Sequence, residues 1–176
     1  IPANAGIIRI DENYAINNKI LNEIYNIYKT IIKDKDLLEK YVEAIEKKFP
    51  DIERLIKIPD VFILWANQVL KNLPLKGEYF NLIYSTSGPY SNHLIAYILI
   101  RKFNKPWIAD FRDEWSNNPY ANFNGKGLIY KINYALEKKI VNTADRIITV
   151  SPLISKNYRS NFELPEQKVV TITNGY

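Results

Sequence analysis

The sequence holds no cysteine, no methionine, a single histidine and only six glycines among its 176 residues. The missing cysteine excludes disulfides, thiolate catalysis and cysteine-ligated zinc. A lone His93 excludes a multi-histidine metal site. Long apolar runs are also missing. Stretches such as Val61 to Ala66 and Leu94 to Ile100 fall far short of the about 18 residues that a membrane-spanning helix needs. No signal-peptide pattern is visible. A chain that opens on Ile1 and lacks methionine reads as a piece of a longer protein.

What is present suits a globular domain. Apolar residues make up 47% and charged residues 24%, enough to bury a sizeable core in one domain over 1–176. The net charge of +5 is mild, and between Lys29 and Lys57 eight basic residues alternate with seven acidic ones. Such mixing describes a solvated helix surface and speaks against a nucleic-acid stripe. It leaves a weak attraction to anionic lipid head groups open. No internal repeat or low-complexity tract appears.

Along the chain, Ile7 to Ile10 is a short strand candidate. Ile16, Ile20, Ile24, Ile27 and Ile31 recur at spacings of four and three, one face of a helix. Asp34-Lys35-Asp36 interrupts it, and an aspartate there restarts a helix through Leu38, Val42, Ile45 and Phe49. Asp51 to Lys57 is a helical turn, and Pro59-Asp60 opens a further helix carrying Val61, Leu64 and Val69. Later, Leu128 to Val141 is amphipathic, Arg146 to Val150 is a strand, and Ser151-Pro152 reads as an N-cap followed by proline at the first helical position. Lys168 to Thr173 is the last strand, and Asn174-Gly175 is a turn signal.

The stretch from Tyr84 to Tyr120 organises the rest. Asn81 to Ser85 is β-rich, Ser87-Gly88-Pro89 breaks it, and His93 to Phe103 carries an apolar face ending at the basic pair Arg101-Lys102. Pro106 to Ala109 is the next strand, followed by Asp110-Phe111-Arg112-Asp113-Glu114-Trp115. Asn117 to Gly127 reads as a polar loop. A strand, crossover helix and strand of this length form a right-handed parallel unit. The alternation argues a Rossmann-like α/β fold with a parallel sheet flanked by helices. Ligands of such sheets sit beyond the carboxyl ends of the strands. That places Ser85, Thr86, Ser87, His93, Asp110, Arg112 and Asp113 on one rim.

These residues carry a resemblance. The runs YSTSGPYSNHLIA, KPWIADFRDEW, LEKKIVNTADRIITVSP and KVVTITNGY, in this order, resemble the N-terminal half of family-4 glycosyltransferases of the GT-B fold. The resemblance covers roughly the second half of the chain. It implies transfer of a sugar from a nucleotide-sugar donor to a glycan or lipid-linked acceptor in surface-polysaccharide synthesis. It further implies retained anomeric configuration, no metal or other cofactor, and a cytoplasmic enzyme that can touch the inner face of the membrane. The chain would then be a partial, acceptor-side domain lacking the donor-binding C-terminal domain, and inactive by itself. Relatives also begin with a strand absent here, whose loss would leave a sheet edge open. A non-catalytic Rossmann-like binding or assembly module is the alternative from a different class.

Arg112 and Asp113 are the first candidates for chemistry. An arginine fork binds phosphate oxygens and a carboxylate holds a sugar hydroxyl, or the two form a loop salt bridge. Many relatives carry histidine where Arg112 stands. Asp110 is either a base or ligand, or a satisfier of backbone donors at the strand end. His93 either meets an anion at the start of its helix or packs under the loop. Ser87 and Gly88 offer backbone donors to an oxyanion, without a phosphate-loop pattern. Tyr90 and Trp115 offer aromatic faces to a sugar ring, or pack as a lid. Gly125-Lys126-Gly127 lacks a preceding strand and a third glycine, which argues against an NAD-dependent dehydrogenase.

Overall fold

A computed structural model describes residues 18–47, 52–118 and 127–175. Helices α1 (Asn18–Ile31), α2 (Lys35–Glu46), α3 (Ile52–Ile56) and α4 (Ile63–Asn72) come first. Strand β1 (Ile83–Ser87), helix α5 (Ser91–Phe103), strand β2 (Trp107–Phe111) and helix α6 (Leu128–Thr143) follow. Strand β3 (Arg146–Thr149), helix α7 (Pro152–Phe162) and strand β4 (Val169–Thr171) complete the order.

The local signals explain these elements. Ile20, Ile24, Ile27, Tyr28 and Ile31 are all buried, so the isoleucine stripe is the core face of α1. Asp34 caps α2 by accepting the Leu37 amide at 3.0 Å. Ser151 does the same for α7, accepting the Ile154 amide at 3.2 Å with Pro152 in the first turn. Helix α5 ends at Asn104, whose left-handed φ of 50° terminates it, just beyond Arg101 and Lys102.

The four strands are all parallel and run in spatial order β1-β2-β3-β4. Successive right-handed crossovers in one direction place α5, α6 and α7 on the same face of the sheet. On that face Ile83, Ser85, Trp107, Ala109, Phe111, Ile147 and Val169 are buried. Helices α1, α2 and α4 pack on the outside of α5 and α6 as a second layer. Side chains of the opposite face alternate with these, because successive strand residues point to opposite sides. There Tyr84, Val170 and the flanking Ile172 are exposed. Among the described residues β1 pairs only with β2.

Several boundaries differ from the sequence reading. Strands β1 and β2 each run two residues further toward the loop than the β-rich runs suggest, because parallel pairing from Ile83↔Trp107 to Ser87↔Phe111 carries both onward together. The helix expected to open at Pro59-Asp60 begins only at Ile63; Asp60 accepts the Phe62 amide at 3.0 Å in the turn before it and also holds Ser91 at the start of α5. The strand candidate at Ile7 to Ile10, Ile16, and residues 119–126 of the polar loop lie outside the described residues.

Candidate functional site

Asp110 is the centre of the rim. It stands in register with Thr86 of β1 and Ile148 of β3, on the open face of the sheet, yet is only 1% exposed. Its Oδ2 accepts three bonds: from the Tyr84 hydroxyl at 2.6 Å, the Thr86 hydroxyl at 3.1 Å and Arg112 Nε at 2.9 Å. Three donors on one oxygen satisfy that side of the buried carboxyl group. Oδ1 is buried without a partner among the described residues. A buried carboxylate oxygen left open in this way is a place for a hydroxyl donor.

Arg112 is half exposed and spans the rim. Its Nε holds Asp110, and its Nη1 donates to Oδ1 of Asn174, just beyond β4. Three widely separated segments therefore meet: the end of β1, the residues after β2, and the turn after β4. A guanidinium has five N–H donors, so donors remain for a phosphate or carboxylate fork. Burial and the Asp110 carboxylate both push the Tyr84 phenol upward from its ordinary pKa, which keeps it a hydrogen-bond donor. Asp113 follows on the exposed side of the loop.

The remaining candidates separate into two groups. Tyr90 and Trp115 lie together, stacked with centroids 4.9 Å apart and rings 14° from parallel. Trp115 is buried and donates its indole N–H to Asn133 at 2.8 Å, while the Tyr90 hydroxyl donates to the Glu114 carbonyl at 2.8 Å. Burial pushes the Tyr90 phenol up to about 12. The pair braces the loop after β2, so one face of each ring is already covered. Ser87 is buried, with its Oγ 3.5 Å from the Asp110 carbonyl oxygen, and Gly88 is exposed with open space where a Cβ would stand.

His93 and Ser85 are inside. The imidazole is fully buried on the helix-covered face, between Ser85 Oγ at 2.7 Å from Nδ1 and the Phe111 ring at 4.4 Å between centroids. The Ser85 hydroxyl also accepts the Trp107 indole N–H at 2.8 Å. Burial drives the His93 pKa down to about 3, so the ring is neutral. The expected rim thus divides by strand parity: Thr86 and Asp110 face outward, Ser85 and His93 inward. The start of α5 is also occupied. Asp60 accepts the Ser91 amide at 3.0 Å and the Ser91 hydroxyl at 2.8 Å. A carboxylate of the chain itself takes the place where an anion was expected.

Glu137 on α6 was not singled out by the sequence. It is buried and accepts the Ser116 amide at 2.9 Å, the Ser116 hydroxyl, and the Tyr158 hydroxyl at 2.8 Å. Burial raises its pKa, opposed by the bonds from Ser116 and Tyr158. Asn157 of α7 adds a bond to Glu114 Oε1 at 2.8 Å. Loop 112–118 is therefore held by α5, α6 and α7 at once. Glu137 standing among Ile132, Leu136, Ile140 and Val141 on the buried face of α6 is the signal that could have pointed to it.

Among the described residues no three His, Cys, Asp or Glu side chains stand close enough to hold a metal, and no helix is long and apolar enough to cross a membrane. Together, a four-stranded parallel sheet and a charged cluster at its carboxyl rim define a Rossmann-like α/β domain of the kind that forms half of a GT-B glycosyltransferase. More narrowly, residues 33–176 match the family model of Glycosyltransferase Family 4, and the chain belongs to that family. Comparison with curated proteins gives no match.

Proposed function

We propose that the chain is the acceptor-side half of a glycosyltransferase that moves a sugar from a nucleotide-sugar donor to a glycan or lipid-linked acceptor. The observation that carries this reading is the Asp110–Arg112–Asn174 cluster. One buried carboxylate oxygen is left open beside a half-exposed arginine that bridges Asp110 and Asn174 and also reaches the Tyr84 hydroxyl. The bond from the anomeric carbon to the donor's diphosphate oxygen breaks and a bond to the acceptor hydroxyl oxygen forms, with retained configuration; the hydroxyl proton passes to the departing diphosphate oxygen, and nucleoside diphosphate is released. Asp110 Oδ1 takes the acceptor hydroxyl in this arrangement, and Arg112 meets phosphate charge. Asp113 flanks it on the solvent side. Ser87, Gly88, Tyr90 and Trp115 shape and brace the wall, and His93 supports β2 from behind. The reaction needs no metal, runs in the cytoplasm and takes place at the inner face of the membrane when the acceptor is a lipid. The donor is held mainly by a C-terminal domain beyond this chain.

The test is nucleotide release by the complete gene product from UDP-, GDP- and dTDP-sugars, with and without chelator. Chelator-resistant release from one donor supports the reading. Arg112→Ala then lowers kcat/KM by about 10²-fold or more, the cost of one well-placed charge contact in a desolvated site. Silence across the panel together with no nucleotide binding would leave a non-catalytic binding module.

A further inference from the structure

Three aromatic side chains near the rim differ in what they leave open. Trp115 is buried, and Tyr90 lies stacked on it. Tyr84 is 52% exposed on the open face of the sheet, on the strand beside Asp110. Among the described residues no other ring packs on it. Its hydroxyl is nevertheless tied. It donates to Asp110 Oδ2 at 2.6 Å and is reached by the half-exposed Arg112 guanidinium. Its backbone is fixed as well, in register with Ile108 of β2. An exposed tyrosine without such bonds moves among its rotamers. Held at both ends, this phenol stays at the rim while its face meets water. Its conformational freedom is already lost before a ligand arrives, which favours binding there.

A flat apolar face bordered by a carboxyl group and a guanidinium matches a carbohydrate. A pyranose ring carries C–H bonds across its face and hydroxyls around its edge, so the face covers the phenol while the hydroxyls reach the polar groups. We infer that Tyr84 is the binding residue on which the acceptor sugar lies, its C–H face against the ring and its hydroxyls toward Asp110 and Arg112. The inference rests on the acceptor reading above, to which it adds the ring contact and the class of group at the rim, a pyranose. A nucleobase is flat too and stacks on a phenol. The sugar is favoured because Tyr84 stands against Asp110, which takes the acceptor hydroxyl in that reading, whereas the donor is held mainly by another domain. A hydrocarbon chain would cover the ring but leave its polar edge unmatched.

The experiment is saturation-transfer NMR on the complete gene product. The probes are the methyl pyranosides of glucose, galactose, mannose, rhamnose and N-acetylglucosamine, beside uridine, guanosine and thymidine. Irradiation of the protein's aromatic protons is expected to mark the ring C–H protons of a pyranoside, whose Kd is then titrated. Tyr84→Leu keeps an apolar side chain but removes the flat face, and is expected to weaken that Kd by about fivefold to tenfold. Tyr84→Phe keeps the face and gives up the hydroxyl, and should lose distinctly less. Tyr79→Leu, at an exposed tyrosine in the turn before β1, is expected to bind as the wild type does. No marked pyranoside, an equal loss in Tyr79→Leu or in Tyr84→Phe, or Tyr84-dependent transfer to nucleobase protons alone would overturn the inference. Nucleotide release is read separately. Release without a Tyr84-dependent sugar contact sinks the platform and leaves the transferase standing; sugar contact without release from any donor leaves the platform standing alone.

Discussion

At the scale of residues, two buried polar side chains are treated in opposite ways. Asp110 is buried but meets Tyr84, Thr86 and Arg112 at the rim. His93 is buried with a single bond from or to Ser85, so it loses its charge. A pH dependence of stability follows. The unfolded chain takes up a proton at His93 near its ordinary value of 6.5, while the folded chain does so only near about 3. Its folded pKa is depressed, so full stability holds above pH 6.5 and is lost as pH falls from 6.5 toward about 3. The slope is about 1.4 kcal/mol per pH unit for a fully buried imidazole. Urea unfolding at pH 6.5 and pH 5 should show this loss in the wild type, and a His93→Gln variant should lack that share of it. Equal slopes in both would rule the buried imidazole out as the cause.

At the scale of elements, loop 112–118 is the part whose position decides what the rim presents. It carries Arg112 and is short of internal hydrogen bonds, so its shape comes from side chains of three helices. Glu137 is the main anchor, since its carboxylate meets Ser116 and Tyr158 from the far side of the sheet plane. Glu137→Ala leaves the Ser116 amide and the Tyr158 hydroxyl unpaired in the interior, at a cost of about 1–3 kcal/mol for each group. Urea titration followed by Trp115 emission reads that loss. A change below about 1 kcal/mol would show that water replaces the carboxylate and that the anchor is elsewhere.

At the scale of the whole molecule, the sheet has one face under α5, α6 and α7 and another bearing Tyr84, Val170 and Ile172 in the open. The rim cluster sits on that open side. A cleft that excludes water needs a second wall, and the described residues supply only one. Electrostatic contacts gain their strength from such exclusion. The 176-residue chain by itself is therefore expected to show no sugar transfer. Turnover by the chain alone, in the same nucleotide-release assay, would contradict this.

Much of the architecture was legible from periodicity and punctuation. The isoleucine stripe of α1, the Asp34 and Ser151 caps, the basic end of α5 and the strand-helix alternation are local, since each depends on residues within a turn or two of one another. The rim candidates Asp110 and Arg112 were legible for the same reason, because the end of a parallel strand is a local position with a global meaning. What no local pattern contained was the choice of face. Ser85 and Thr86 are neighbours in the chain, yet one meets His93 in the core and the other meets Asp110 at the rim. Parity in a strand decides which side each takes, but only packing of helices on one side decides which side is inside. The same holds for the partners that arrive from far away: Asp60 at the start of α5, Asn174 at Arg112, Glu137 at Ser116, and the lysines of α2 beside those of α6. The sequence by itself determined the elements, their order and the charged residues at the strand ends. Tertiary structure alone decided their partners, because a hydrogen bond or a cluster of charges depends on distance in space, and separations of about twenty to ninety residues along the chain carry no record of it.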